Sequence, residues 1–112
     1  MLLIYDNEQD WAKLTEDERG QLFGEYMTFT NEIVASGHFL AGAPLQPIAT
    51  ATSVRVRETE RLVTDGPFAE TREQLGGYYL VNAADLDEAI GIAARIPSAR
   101  FGTIEVRPVM DM

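Results

Sequence analysis

The 112-residue chain predicts an α+β fold on the ferredoxin-like plan: a largely antiparallel sheet, two helices on one of its faces, and an added hairpin. Three observations carry that prediction. Two segments show helical periodicity behind capping signals, several short segments read as strands, and the order is strand, helix, strand, hairpin, strand, helix, strand. No linker, repeat or low-complexity tract interrupts this order, so residues 1–112 are expected to form a single domain.

Met1 to Tyr5 reads as the first strand, apolar at consecutive positions so that both faces want cover, and the Asp6-Asn7 pair closes it. Trp11 is expected in the loop that follows. Thr15-Glu16-Asp17-Glu18 matches a capping box, in which hydroxyl and carboxylate satisfy each other's backbone amides, so a helix should start there. Leu22, Tyr26, Phe29 and Ile33 fall four, three and four apart, and Phe23, Met27 and Val34 widen the apolar stripe. Gly37 stands where a left-handed stop belongs. His38 to Gly42 predicts a short strand, and Pro44 and Pro47 then impose a loop.

Ser53 to Arg57 alternates cleanly, Glu58-Thr59-Glu60 turns, and Arg61 to Thr64 returns, which predicts the hairpin. Gly77 to Val81 is the next strand. Asp85-Leu86-Asp87-Glu88 offers a second cap, and Leu86, Ala89, Ile90, Ala93 and Ala94 supply a narrower apolar stripe running to Ile96 and ending at Pro97. Thr103 to Arg107 is the last strand. Two helices cover only one sheet face, and the other would expose apolar residues of the Met1–Tyr5 and Tyr78–Val81 segments. A twofold homodimer with sheets face to face, a dimeric α+β barrel, is therefore expected; the alternative is that the hairpin or the Pro44–Ala51 loop folds over that face within one chain.

Composition narrows the function classes. Asp and Glu number 18 against 9 Lys and Arg, a formal charge of −9 that repels a phosphate backbone, so direct nucleic-acid binding is not expected. The absence of cysteine removes disulfides, thiolate nucleophiles and sulfur-ligated metals. Met1 to Asp6 reaches an acid within a few residues and lacks a basic flank, so neither a signal peptide nor a membrane span is expected, and a soluble cytoplasmic protein is.

The stretch Asp65-Gly66-Pro67-Phe68-Ala69-Glu70-Thr71-Arg72-Glu73-Gln74-Leu75-Gly76-Gly77-Tyr78-Tyr79 resembles the signature of the DGPF branch of the YCII-related family. Leu45-Gln46-Pro47, Thr52 to Arg57 and Glu105-Val106-Arg107-Pro108 resemble the same family's flanking segments, so the similarity spans essentially the whole chain. The resemblance implies the dimeric α+β plan, and it associates the branch with extracytoplasmic-function sigma factors, hence with a transcription-related protein partner. It also implies a histidine in the first helix and an aspartate before a proline after the second. Here those positions fall near Glu25 and on Ile96, so that dyad does not carry over.

Within the signature, Asp65 can accept from nearby backbone amides, Gly66 can take a positive φ, and Pro67 fixes the next φ, which makes a rigid corner. Phe68 is then expected to point inward as an anchor, and the polar run to Gln74 to line a pocket mouth. Asp65, Gly66, Phe68, Gln74, Tyr78 and Arg55 are the ligand-binding candidates; the other reading of the corner is a structural turn beside a dimer contact. His38, Asp65, Glu25 and Tyr26 are the acid–base candidates for a small enzyme of isomerase, lyase or oxygenase type needing no cofactor. His38 is the only histidine, which does not suffice for a multi-histidine metal centre, and a histidine directly after a helix stop more often bonds the last helical carbonyls than it acts as a base or ligand contact. A small-molecule-binding or regulatory accessory module is the first functional expectation, the enzyme the second.

Overall fold

The structure, a computed structural model, describes residues 1–111. Its strands are β1 (Leu2–Asp6), β2 (Phe39–Pro44), β3 (Thr52–Arg57), β4 (Glu60–Asp65), β5 (Gln74–Val81) and β6 (Thr103–Val106), and its α-helices are α1 (Glu8–Ala12), α2 (Glu16–Ala35) and α3 (Leu86–Ala94). Short 3₁₀ turns occupy Ile48–Thr50 and Pro97–Arg100. Four strands form one antiparallel sheet in the order β2-β5-β1-β6, and β3 and β4 pair as a separate hairpin. This is the predicted mixed α+β arrangement, consistent with the ferredoxin-like plan.

Local chemistry sets the ends of α2. The Thr15 hydroxyl accepts from the Glu18 amide at 3.1 Å and the Glu18 carboxylate accepts from the Thr15 amide at 3.0 Å; that amide, with the Thr15 side chain second, favours the charged carboxylate and lowers the Glu18 pKa. At the other end the His38 amide donates to the Ile33 carbonyl and the Gly37 amide to that of Val34, a Schellman closure with Gly37 at φ +80°.

Leu22, Phe29 and Ile33 are buried along α2 as the spacing predicts, and Phe29 and Ile33 share one core with Leu2, Ile4, Tyr79, Ile92, Ala93 and Ile96. The core is thus sheet-on-helix, and α2 and α3 lie on the same side. Leu3, Tyr5, Tyr78 and Leu80 alternate onto the reverse face, half-buried and outside that core. The molecule measures 47 × 43 × 19 Å, and its short dimension is what one sheet and one helix layer occupy.

Several expectations are corrected. Trp11 lies in α1, a helix of five residues capped by the Asn7 side chain and too short to show periodicity. Phe23, Met27 and Val34 are exposed, because α2 beds only one stripe on the narrow sheet. On α3 the inward residues are Ile92 and Ala93, while Leu86, Ile90 and Ala94 face out. The fifth strand starts at Gln74 instead of Gly77, reached by a bulge that sets Gly77 opposite Ile4 but Leu75 opposite Tyr5. Phe68 does not point inward: it is 79% exposed.

Candidate functional site

Leu2, Ile4 and Asp6 alternate inward along β1, so Asp6 brings a buried carboxylate to the end of an apolar row. Its neighbours are assembled from three other segments. Asn7 caps α1, and that single turn carries Trp11 back so that its indole N–H donates to Asp6 Oδ2 at 3.0 Å. The Pro97–Arg100 turn holds Ser98, fully buried, whose hydroxyl donates to the same Oδ2 at 3.2 Å. From the inner face of α2 the Tyr26 hydroxyl bonds Ser98 Oγ in a short contact.

Proton accounting gives this chain a direction. Ser98 has one hydroxyl proton and spends it on Asp6, so Tyr26 must be the donor to Ser98 and the order is Tyr26 to Ser98 to Asp6. Burial pushes the Tyr26 phenol up to about 12, and the Asp6 charge adds to the rise. The phenol is a held, neutral donor at neutral pH. Because its folded pKa lies above the ordinary 10.0, its contribution to stability is complete below pH 10 and is lost as pH climbs toward about 12. A Tyr26→Phe variant should therefore lose less stability than the wild type between pH 10 and pH 12, as read by urea melts across that range, and its absorbance titration should lack the latest tyrosine step. The bulge residue Gly76 makes room for the carboxylate: a Cβ there would stand 3.2 Å from Asp6 Oδ1.

Beside this network a groove runs between α2 and the segment from the end of α3 to Phe101. It comprises two joined hollows of about 390 and 630 Å³ that share Gln21, Glu25 and Arg100. Glu25 meets Arg100 at 2.6 Å and Glu32 meets Arg95 at 2.5 Å, two ion pairs that tie α2 to the opposite wall. Arg95 also lies over the Phe29 ring, 5.6 Å from its centroid. Phe101 connects the two features, walling the first hollow and meeting Trp11 edge-on at 6.1 Å. Among the described residues no cluster of three or more His, Asp or Glu is disposed to hold a metal ion.

The structure separates the predicted site residues. Tyr26 belongs to the buried chain, Glu25 to the groove, and Gln74 lies opposite Asp6 in the strand register with its Oε1 buried and unpartnered among the described residues. His38 stands elsewhere, its imidazole held between Ser36 Oγ at 2.6 Å and Glu88 Oε1 at 3.1 Å, linking the end of α2 to the start of α3. Asp65 and Arg55 are exposed on the hairpin, and Tyr78 is on the reverse sheet face. Gly66, at φ +93°, donates its amide to the Ala51 carbonyl at 2.7 Å while its own carbonyl accepts from Ser53 Oγ at 2.8 Å, so the corner clamps the hairpin base.

Glu25 and Ile96, where the resemblance would put a dyad, do not meet: Ile96 is core and Glu25 faces Arg100. Their neighbours Tyr26 and Ser98 do. Asp6, Ser98 and Arg100 were not expected in a site. The one sequence signal for Asp6 was its inward register two residues after Ile4.

The family model of the YCII-related domain matches residues 1–112. An uncharacterized protein, R00369, of Rhizobium meliloti (strain 1021) is 34% identical over 110 residues, which cover 96% of this chain and 89% of that protein.

Proposed function

The chain belongs to the YCII-related family, and we propose that it is a binding module whose seat is the groove between α2 and the Pro97–Phe101 segment. The observation that carries the reading is the pairing of Glu25 with Arg100 and of Glu32 with Arg95 across that groove. Each guanidinium there is half-exposed and already oriented, so a small anionic or hydrogen-bonding ligand can exchange with a glutamate without moving the backbone. Binding is favoured over acid–base catalysis because His38 is engaged at both ring nitrogens and Tyr26 is shifted away from neutral-pH proton transfer.

The same proposal takes the chain as a member of the DGPF branch, on its Asp65–Phe68 signature, and as a face-to-face homodimer of the α+β barrel kind. Its accessible surface is 8226 Å², whereas a compact monomer of this mass exposes about 6,100 Å². Its radius of gyration is 16.0 Å, against about 13 Å for a compact domain of this length. Surface in such excess, on a slab one sheet and one helix thick, is what a second copy would cover. A net charge of −9 suits an accessory that meets a protein partner in preference to nucleic acid.

Gly24 offers the cleanest test. It lines the groove in the middle of α2, and a Cβ there meets nothing within 4 Å. Gly24→Ala should therefore stabilise the fold by about 0.5–1 kcal/mol through helix propensity. Gly24→Leu should keep the fold while filling the groove. Native mass spectrometry of protein purified from an expression host, together with thermal-shift screening against a library of small carboxylates and amines, should show ligand retention or stabilisation in the wild type that Gly24→Leu and Arg100→Ala lose. Ligands held equally by all three proteins would overturn the groove as the seat.

A further inference from the structure

We infer that the β3–β4 hairpin is an arm that lies on a second copy of the chain, anchored by Val54, Val56, Val63 and Phe68; the inference rests on the homodimer proposed above and assigns the element that secures it. The argument starts from register. Val54 pairs with Val63 and Val56 with Arg61, so three valines fall on one face, while Ser53 with Thr64 and Arg57 with Glu60 mark the ribbon's polar pairs. Such a valine row belongs to a half-buried ribbon. Yet each of the three valines is 60% exposed, and Phe68, just past the hairpin base, is more exposed still. Among the described residues β3 and β4 pack substantially only on each other.

A lone two-stranded ribbon is marginal in water, and this one has an unfavourable turn. Glu58 and Thr59 sit at φ 51° and 68°, the geometry that asparagine and glycine supply without strain and a β-branched threonine does not. Among the described residues the ribbon meets too little of the body to offset that strain. Its apolar face must therefore find its partner outside the chain, and three observations make that partner a second copy. The excess surface, roughly 2,000 Å² per chain, falls in the range of obligate homodimers and beyond transient encounters. The half-buried face of Leu3, Tyr5, Tyr78 and Leu80 offers an apolar bed on the same flat molecule. Charge agrees: Arg55, Arg57 and Arg61 balance Glu58, Glu60 and Asp65, so the neutral arm, with Arg61 on its valine face, meets a body that carries the entire net charge of −9. The signature's Gly66-Pro67 corner then has a role, since it fixes the angle at which the arm leaves and presents Phe68 as an anchor.

Sedimentation equilibrium on the full chain tests this. The wild type should be a dimer, the V54E/V63E double variant should dissociate with a constant weaker by on the order of 100-fold, and Thr64→Glu, on the opposite face, should leave it unchanged. A dimer that is indifferent to V54E/V63E overturns the arm while sparing the dimer; a wild-type monomer at tens of micromolar overturns both. Circular dichroism verifies that the variants keep their fold. Because the chain has no cysteine, a spin label on Val63→Cys gives a second readout: the label should be immobilised in the dimer and freed on dilution, and a label mobile at every concentration counts against the arm.

Discussion

Replacing Asp6 by alanine is expected to cost about 3 kcal/mol of stability and to lower the melting temperature by about 10–20 °C at fixed protein concentration. The carboxylate is buried and accepts from both Trp11 and Ser98, so its removal leaves two donors that water reaches poorly. Asp6→Asn keeps one carbonyl oxygen as acceptor and should cost about 1 kcal/mol. A purely structural role and a directed proton chain make different predictions for Tyr26. If the order is Tyr26 to Ser98 to Asp6, deleting the carboxylate removes a negative charge that raises the phenol's pKa. It also frees the Ser98 proton to stabilise the phenolate, so both effects act downward. The Tyr26 titration should then move down from about 12, as seen by absorbance near the tyrosinate band. A melt indistinguishable from the wild type, or a Tyr26 step that stays in place, would remove the network from the site.

How far the sequence could be read follows from the range of the interactions involved. The Thr15–Glu18 box and the Gly37 stop were legible because each is settled by atoms within a few residues of chain. The stripe from Leu22 to Ile33 was legible because its period is helical. Asp6, Tyr26 and Ser98 were not, since Ser98 reaches Asp6 across 92 positions and Tyr26 across 72, and no local pattern encodes such a meeting. Phe23, Val54 and Phe68 show a different limit. An apolar side chain left on the surface has the same spacing and composition as one that serves a core, and the expectation that the rigid Asp65–Pro67 corner aims Phe68 inward is overturned by the path of the backbone. A helix of one turn has no period to read, so the sequence around Trp11 has no helical signature although Trp11 lies in α1.

Gly102→Ala is expected to destabilise the fold by about 3 kcal/mol, whereas Gly91→Ala should stabilise it by about 0.5–1 kcal/mol, and the contrast in sign is the informative quantity. A Cβ at Gly102 would stand 2.3 Å from the Tyr5 carbonyl oxygen and 2.9 Å from Asp6 Cβ. The first obstacle is backbone, which cannot swing aside as the tip of a side chain can, so the start of β6 has to move off β1. That opens the Tyr5–Thr103 pair and draws the Pro97–Arg100 turn away, because the Gly102 amide is bonded to the Ser98 carbonyl at 2.7 Å. Ser98 then leaves Asp6, and the variant should show the same downward movement of Tyr26 as Asp6→Ala does, although residue 102 touches neither hydroxyl. Gly91 is exposed inside α3, and a methyl added there would meet nothing within 4 Å, so alanine gains helix propensity without a clash. Urea denaturation of both variants decides the matter: a Gly102→Ala protein as stable as the wild type would mean that β1 and β6 do not approach this closely, and the seat of Ser98 beside Asp6 would fall with that approach.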